Sequence, residues 1–280
     1  MRHDLYKSRL QYEGLPPPDY SGAVLIVAPP SESKRPALPS GPPVDLASLS
    51  FPELTPLRLE ILEALEITSA AQDAFRRLQV RPGMAAEVAR NTAVRELPVR
   101  PVLDVYSGPL HEGLDAATLS PAARARADNR LVVASSLWGA LRPVDRIPPY
   151  RLHVCSHLYG IDRLEPMWRT VLPAVFTGAA GKRGIVVDLR SPGYQAIGMP
   201  TGLGDRTVTL RVEQRTAAGR IGDVVAKRMR GQAARLLLEA DADPDDPVEL
   251  AAMLGERWPV ALESPSRPGA THRLTLFPAD

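Results

Sequence analysis

The sequence predicts one mixed α/β domain, and three observations carry that prediction. Two short apolar runs, Ala23–Ala28 (AVLIVA) and Gly184–Leu189 (GIVVDL), have the length and β-branched content of buried strands. Helical patterns interleave with these and with further strand-like segments. No flexible linker, internal repeat or low-complexity array divides the 280 residues. The domain is placed at 22–280. Residues 1–21, polar and ending in Pro16-Pro17-Pro18, read as a loose extension.

Taken in order, Pro29–Lys34 is a loop after the first strand, and Pro36–Val44 is a second, Pro-rich loop. Thr55 before Pro56 reads as an N-cap and first helical residue. Leu57, Ile61, Leu62 and Leu65 then mark a helix near 56–66. Ser69–Leu78 and Ala85–Arg90 read as helices on either side of the turn Arg81-Pro82-Gly83. Pro101–Tyr106 and Leu131–Ser135 read as strands, Trp138–Tyr150 as a loop, and Glu165–Leu172 as a helix. Thr207–Gln214 alternates Val208, Leu210 and Val212 with polar residues, which predicts a half-exposed strand. Gly222–Ala240 is a long helix, Asp241–Asp246 an acidic turn, Pro247–Leu254 a short helix and Arg273–Phe277 a last strand.

Composition narrows the function classes. Net charge is only +2, so nucleic-acid binding would need a local basic patch. The one cysteine, Cys155, excludes an intrachain disulfide and a Cys-rich zinc site, and reads as a packed thiol. No run approaches the ~18 apolar residues that span a bilayer. The charged N-terminus does not read as a signal peptide, so a cytoplasmic protein without membrane partners is expected. The 29 prolines cluster at 16–18, 29–43, 52–56 and 142–149, predicting ordered, irregular crossings.

The sequence holds no Walker loop, no G-x-S-x-G elbow and no H-E-x-x-H. Its five histidines are scattered. His153 and His157 lie four apart but lack an obvious third ligand, so neither a metal nor a cofactor is expected. Three segments carry charge in a suggestive way. Trp138–Tyr150 holds Arg142, Asp145 and Arg146 on a Pro-stiffened backbone that runs into Arg151, which suits an anion site or a pinned loop. The helix after Gly222 carries Lys227, Arg228, Arg230 and Arg235, with Gly231 allowing a close backbone approach. Leu65–Arg90 is similar to a helix-hairpin-helix, with Gly83 as the single glycine of its turn.

Together these segments carry a resemblance. In order they are Pro29-Pro30-Ser31-Glu32-Ser33-Lys34 after the first strand, then Asp104-Val105-Tyr106-Ser107-Gly108. Ser136-Leu137-Trp138-Gly139-Ala140-Leu141-Arg142-Pro143-Val144-Asp145 follows, then Pro149-Tyr150-Arg151-Leu152. Val187-Asp188-Leu189-Arg190-Ser191 with Tyr194, and Lys227-Arg228-Met229-Arg230-Gly231, complete the set. The chain resembles the peroxide stress protein YaaA family from about Val24 to Phe277. It departs from that family's Ser-Pro-Ala-Lys at Ala28–Lys34, reads Ser136-Leu137-Trp138-Gly139 for Gly-Leu-Tyr-Gly, and has His153 and Cys155 after the Pro-Tyr-Arg-Leu segment, as in a divergent branch.

The resemblance implies a mixed α/β fold with a helix-hairpin-helix element beside a basic cleft. It also implies binding of duplex or distorted DNA, and protection against peroxide stress. Phosphate contacts would then fall to Arg142, Arg146, Arg151, Lys227, Arg228 and Arg230, with Gly83 at the hairpin. An alternative from another class is an enzyme acting on a nucleobase, nucleotide or related small molecule. Ser31, Glu32, Lys34, Asp145, Asp188, Ser191 and Tyr194 fall at strand ends or in rigid loops, where α/β sites lie. Its catalytic candidates are Lys34, Glu32, Asp145 and Asp188, with Asp145 or Glu32 as acid or base and Lys34 or Arg142 holding an anion.

Overall fold

The computed structural model describes residues 24–214, 221–240 and 243–278. The extension expected at 1–21, and the start of the acidic turn at 241–242, lie outside the described residues. Nine strands and eleven helices follow one another along the described chain. They are β1 (Leu25–Ala28), α1 (Thr55–Ala70), α2 (Ala74–Leu78), α3 (Ala85–Asn91), β2 (Arg100–Pro101), α4 (Val102–Val105), α5 (Pro109–Leu114), α6 (Pro121–Arg130), β3 (Leu131–Ser135), β4 (Gly139–Leu141) and β5 (Arg146–Ile147). Then come α7 (Leu164–Arg169), α8 (Leu172–Ala180), β6 (Val186–Asp188), α9 (Pro192–Gln195), β7 (Thr207–Val212), α10 (Asp223–Glu239), α11 (Pro247–Gly255), β8 (Val260–Glu263) and β9 (His272–Leu276).

Seven strands form one sheet in the order β4-β3-β1-β6-β7-β9-β8. The five inner strands are parallel, and antiparallel β4 and β8 close the two edges. Parallel strands are covered on both faces, which is why β1, β3 and β6 are buried throughout and apolar almost without alternation. The chain leaves β1 toward β3 on one side and leaves β6 toward β7 on the other. Adjacent β1 and β6 therefore flank the point where the winding reverses. In open α/β sheets the crevice beyond the carboxyl ends of such strands is the usual ligand site.

Several expectations change in the structure. Thr55 is not the cap of α1, because a 3-10 turn at Pro52–Leu54 precedes it and Thr55 is already helical. α1 also runs on to Ala70, leaving only Ala74–Leu78 for the next helix. Pro101–Tyr106 is not a strand. After the two-residue β2 it turns helical as α4, since Pro101 can open a turn but cannot donate to a ladder. The Trp138–Tyr150 loop contains β4 and β5. β7 is buried from Thr207 to Leu210 rather than half-exposed, because α10 packs on it and β6 and β9 flank it.

Two glycines set the closest helix contact. α10 crosses α5 where a Cβ on Gly231 would sit 1.9 Å from the Leu110 carbonyl oxygen. A Cβ on Gly113 would sit 2.1 Å from the Arg228 carbonyl oxygen. The close approach expected of Gly231 is thus to another helix backbone.

Candidate functional site

The loop after β1 is held in shape from within. The Ser31 hydroxyl accepts from the Ser33 amide at 3.2 Å. An isolated antiparallel bridge pairs Lys34 with Tyr106, with Arg35 N donating to Val105 O and Ser107 N to Ser33 O. Gly108 lies so near that a Cβ there would meet the Ser31 hydroxyl at 2.2 Å. The Asp-Val-Tyr-Ser-Gly segment therefore serves as a splint for the Ser-Glu-Ser-Lys loop.

Lys34 folds back into this frame. Its ammonium donates to the Ser31 carbonyl at 2.8 Å and to the Glu32 carbonyl at 3.4 Å. It lies 4.3 Å from the Tyr150 ring centroid and 5.6 Å from that of Tyr106. Among the described residues no carboxylate pairs with it. Burial, followed by the positive field of Arg151, lowers its pKa to about 7, against the opposing pull of Glu87 and Glu32.

Beneath the lysine lies a buried hydroxyl chain. The Ser135 hydroxyl contacts the Tyr150 hydroxyl at 2.7 Å, which contacts that of Tyr106 at 3.0 Å. Ser135 Oγ also accepts from the Leu137 and Trp138 amides, at 3.2 and 3.0 Å. Both its acceptor positions are then filled, so its proton goes to Tyr150 and Tyr150 passes its own to Tyr106. The neighbouring Ser136 hydroxyl donates to Leu152 O at 2.8 Å. Burial holds the Tyr106, Tyr150 and Tyr194 hydroxyls above the usual phenol range, so all three stay protonated.

His111 completes the cluster. Its ring tilts against Tyr106 with centroids 5.1 Å apart. Nε2 lies 3.3 Å from the Pro29 carbonyl, which can only accept, so Nε2 carries the proton. Nδ1 is then a bare acceptor, buried without a partner among the described residues. Burial lowers this imidazole's pKa to about 4, opposed by the Pro29 contact, so the ring is neutral at pH 7. The sequence reading passed over His111 because nothing local marks it. Only the packing of α5 against the loop after β1 brings it in.

The remaining candidates fall into three groups. Glu32 stands at the exposed rim, 3.1 Å from Arg151 and 3.4 Å from His153, while Arg151 also faces Glu87 at 3.7 Å. Asp145 is held in another knot. It accepts from Ser50 N and Oγ at 2.8 and 2.9 Å and from Arg142 N at 2.7 Å, with the buried Arg58 beside it. Arg58, itself missed in the sequence, donates to the Ser50, Trp138 and Ala140 carbonyls and ties α1 to the loop. Asp188 is fully buried and paired with Arg190 at 2.8 Å. Arg190 in turn donates to the Tyr194 and Gly198 carbonyls and fixes the turn after β6.

Among the basic candidates, Arg142 is buried, donating to Asn129 O and lying over Phe51. Arg230 is buried on Leu189 O. Arg146 is exposed, with one bond of 3.3 Å to Val99 O. Lys227 pairs with Asp223 of the same helix at 2.5 Å, and Arg228 reaches across to Glu112 of α5 at 2.7 Å, both side chains partly exposed. Gly83 sits in a 3-10 turn between α2 and α3, with open space where a side chain would project. No cluster of three or more metal-ligating side chains occurs among the described residues, and none of the described helices is long and apolar enough to cross a membrane.

Comparison with known proteins agrees on one family. The family model described as peroxide stress protein YaaA matches residues 24–260. A UPF0246 protein of Streptomyces coelicolor is 37% identical over 91% of this chain and 98% of its own length. One from Corynebacterium efficiens is 37% identical over 81% of this chain and 90% of its own length. A third, from Salinispora tropica, is 32% identical over 88% and 92%.

Proposed function

This chain belongs to the peroxide stress protein YaaA family, and we propose that its working site is the Lys34 cluster, where it binds and acts on a small molecule in the service of peroxide-stress protection. The observation that carries this reading is the lysine itself. Lys34 is held by backbone carbonyls over two tyrosine rings, with no carboxylate paired to it among the described residues, on the loop that follows β1, one of the two strands flanking the reversal of the sheet's winding. Burial with a lowered pKa and no ion-pair partner among the described residues is the environment that suits a ligand-binding or nucleophilic lysine. Of the four carboxylate and lysine candidates, Lys34 and Glu32 belong to this site. Asp145 and Asp188 act as internal ties.

DNA contact is a second reading, supported by the family resemblance and by the surface placement of Arg146, Lys227 and Arg228. Arg151 at the rim and the turn at Gly83 would extend such a surface. Arg142 and Arg230 would support it from inside. Contacts of this kind would be mainly to phosphate and strongly salt-dependent.

One set of variants separates the two readings. Thermal shifts are measured with a panel of small aldehydes, keto acids, nucleosides and inorganic phosphate, and anisotropy with labelled duplex and bubble DNA at two salt concentrations. Lys34→Met is expected to abolish a small-molecule shift and leave any DNA affinity intact. Lys227→Glu with Arg228→Glu is expected to do the reverse. A panel that shifts wild type and Lys34→Met equally would refute the first reading. DNA affinity unchanged by the double reversal would refute the second.

A further inference from the structure

Resting on the Lys34 reading, we propose that this site takes a carbonyl compound, an aldehyde or ketone, and joins it to Lys34 as an imine, with Tyr106 as the proton donor. Three observations converge on it. The Ser31 and Glu32 carbonyls fix Nζ over the Tyr150 ring, and with its pKa lowered to about 7 a large share of this amine carries a free lone pair at neutral pH. The hydroxyl chain from Ser135 through Tyr150 reaches Tyr106, which places a buried phenol proton in the frame that holds Lys34. His111 Nδ1, in the same cluster, is buried without a partner among the described residues. A site that joins an amine, a buried phenol and an unfilled lone pair is polarised for a ligand oxygen.

The chemistry balances without any further reagent. The Nζ lone pair forms the C–N bond while the carbonyl π electrons move to oxygen, which takes a proton from Tyr106. Tyr106 recovers that proton from nitrogen. The carbinolamine oxygen then takes the second amine proton and leaves as water as C=N forms. Both hydrogens of the water come from Nζ, and nothing is oxidised or reduced. Arginine cannot perform this step. In a chain whose basic residues are otherwise mostly arginine, lysine occurs at only four positions, Lys7, Lys34, Lys182 and Lys227.

The test uses the full chain with propanal and cyanoborohydride, which reduces an imine to a stable secondary amine, followed by peptide mapping of the four lysines. Lys34 is expected to carry at least tenfold more label than Lys182 or Lys227 at pH 7. Its labelling should half-saturate near neutrality, in the field of Glu32, Glu87, Arg151, His111 and His153. Tyr106→Phe should slow labelling of Lys34 alone, which keeps the proposal testable where Lys34→Met folds poorly. Equal labelling of the lysines overturns it. If propanal shifts the melting of wild type but not of Lys34→Met while Lys34 takes no label, imine formation is refuted and the binding site stands. If it produces neither shift nor label, imine formation is refuted and the site reading loses its support from carbonyl ligands.

Discussion

At the scale of single residues, Lys34 stands apart by its burial and lowered pKa. Its lowered pKa has a consequence for stability with a definite sign. Between about 7, its folded value, and 10.5, the ordinary lysine value, the unfolded chain binds the proton that the folded chain releases. Stability from this group therefore rises with pH across that window, is fully present above it, and is lost as pH falls toward 7. Lys34→Met removes the effect. The variant should gain most over wild type near pH 6 and progressively less toward pH 10, read as denaturant midpoints at each pH. A gap independent of pH would show that the folded lysine titrates like an exposed one.

At the scale of elements, the contact of α5 with α10 is the one the site can least spare, because α5 carries His111 and follows directly on Tyr106 and Gly108. Gly231→Ala would place a methyl group against the Leu110 carbonyl, a backbone atom that cannot swing away. The expected cost is about 2–3 kcal/mol, the upper range for overpacking, with a lower melting temperature and weakened ligand shifts. A fully stable variant would mean that the two helices can part without loss. The sequence marked Gly231 as a point of close approach, but not its partner, because the other backbone comes from more than a hundred residues away. The strands β1, β3 and β6 were legible for a local reason, since burial on both faces writes continuous apolar runs. β4, β5 and α4 were not, because two to four residues carry no period, and proline-rich segments look alike whether they pair or turn.

At the scale of the whole molecule, the order of motifs in the sequence identified the family, and the fold explains why those motifs lie far apart. Each is a strand end, a splint or an internal tie of the fold. Lys34, Glu32 and Tyr194 were legible as candidates because they follow strands. Asp145, Asp188, Arg142 and Arg230 looked equally suitable, since a charged residue in a rigid loop reads the same whether it faces a ligand or a carbonyl inside the fold. The direction of the hydroxyl chain and the bare nitrogen of His111 arise only in three dimensions. The most direct test of the account is a titration of the lysine side chains by NMR, with the four Nζ and Cε signals followed from pH 5 to 11 and assigned with Lys34→Met. One signal is expected to have a midpoint near 7 and to be absent in the variant. A wild type with no signal titrating near 7, or such a signal that persists in Lys34→Met, would contradict the reading of Lys34.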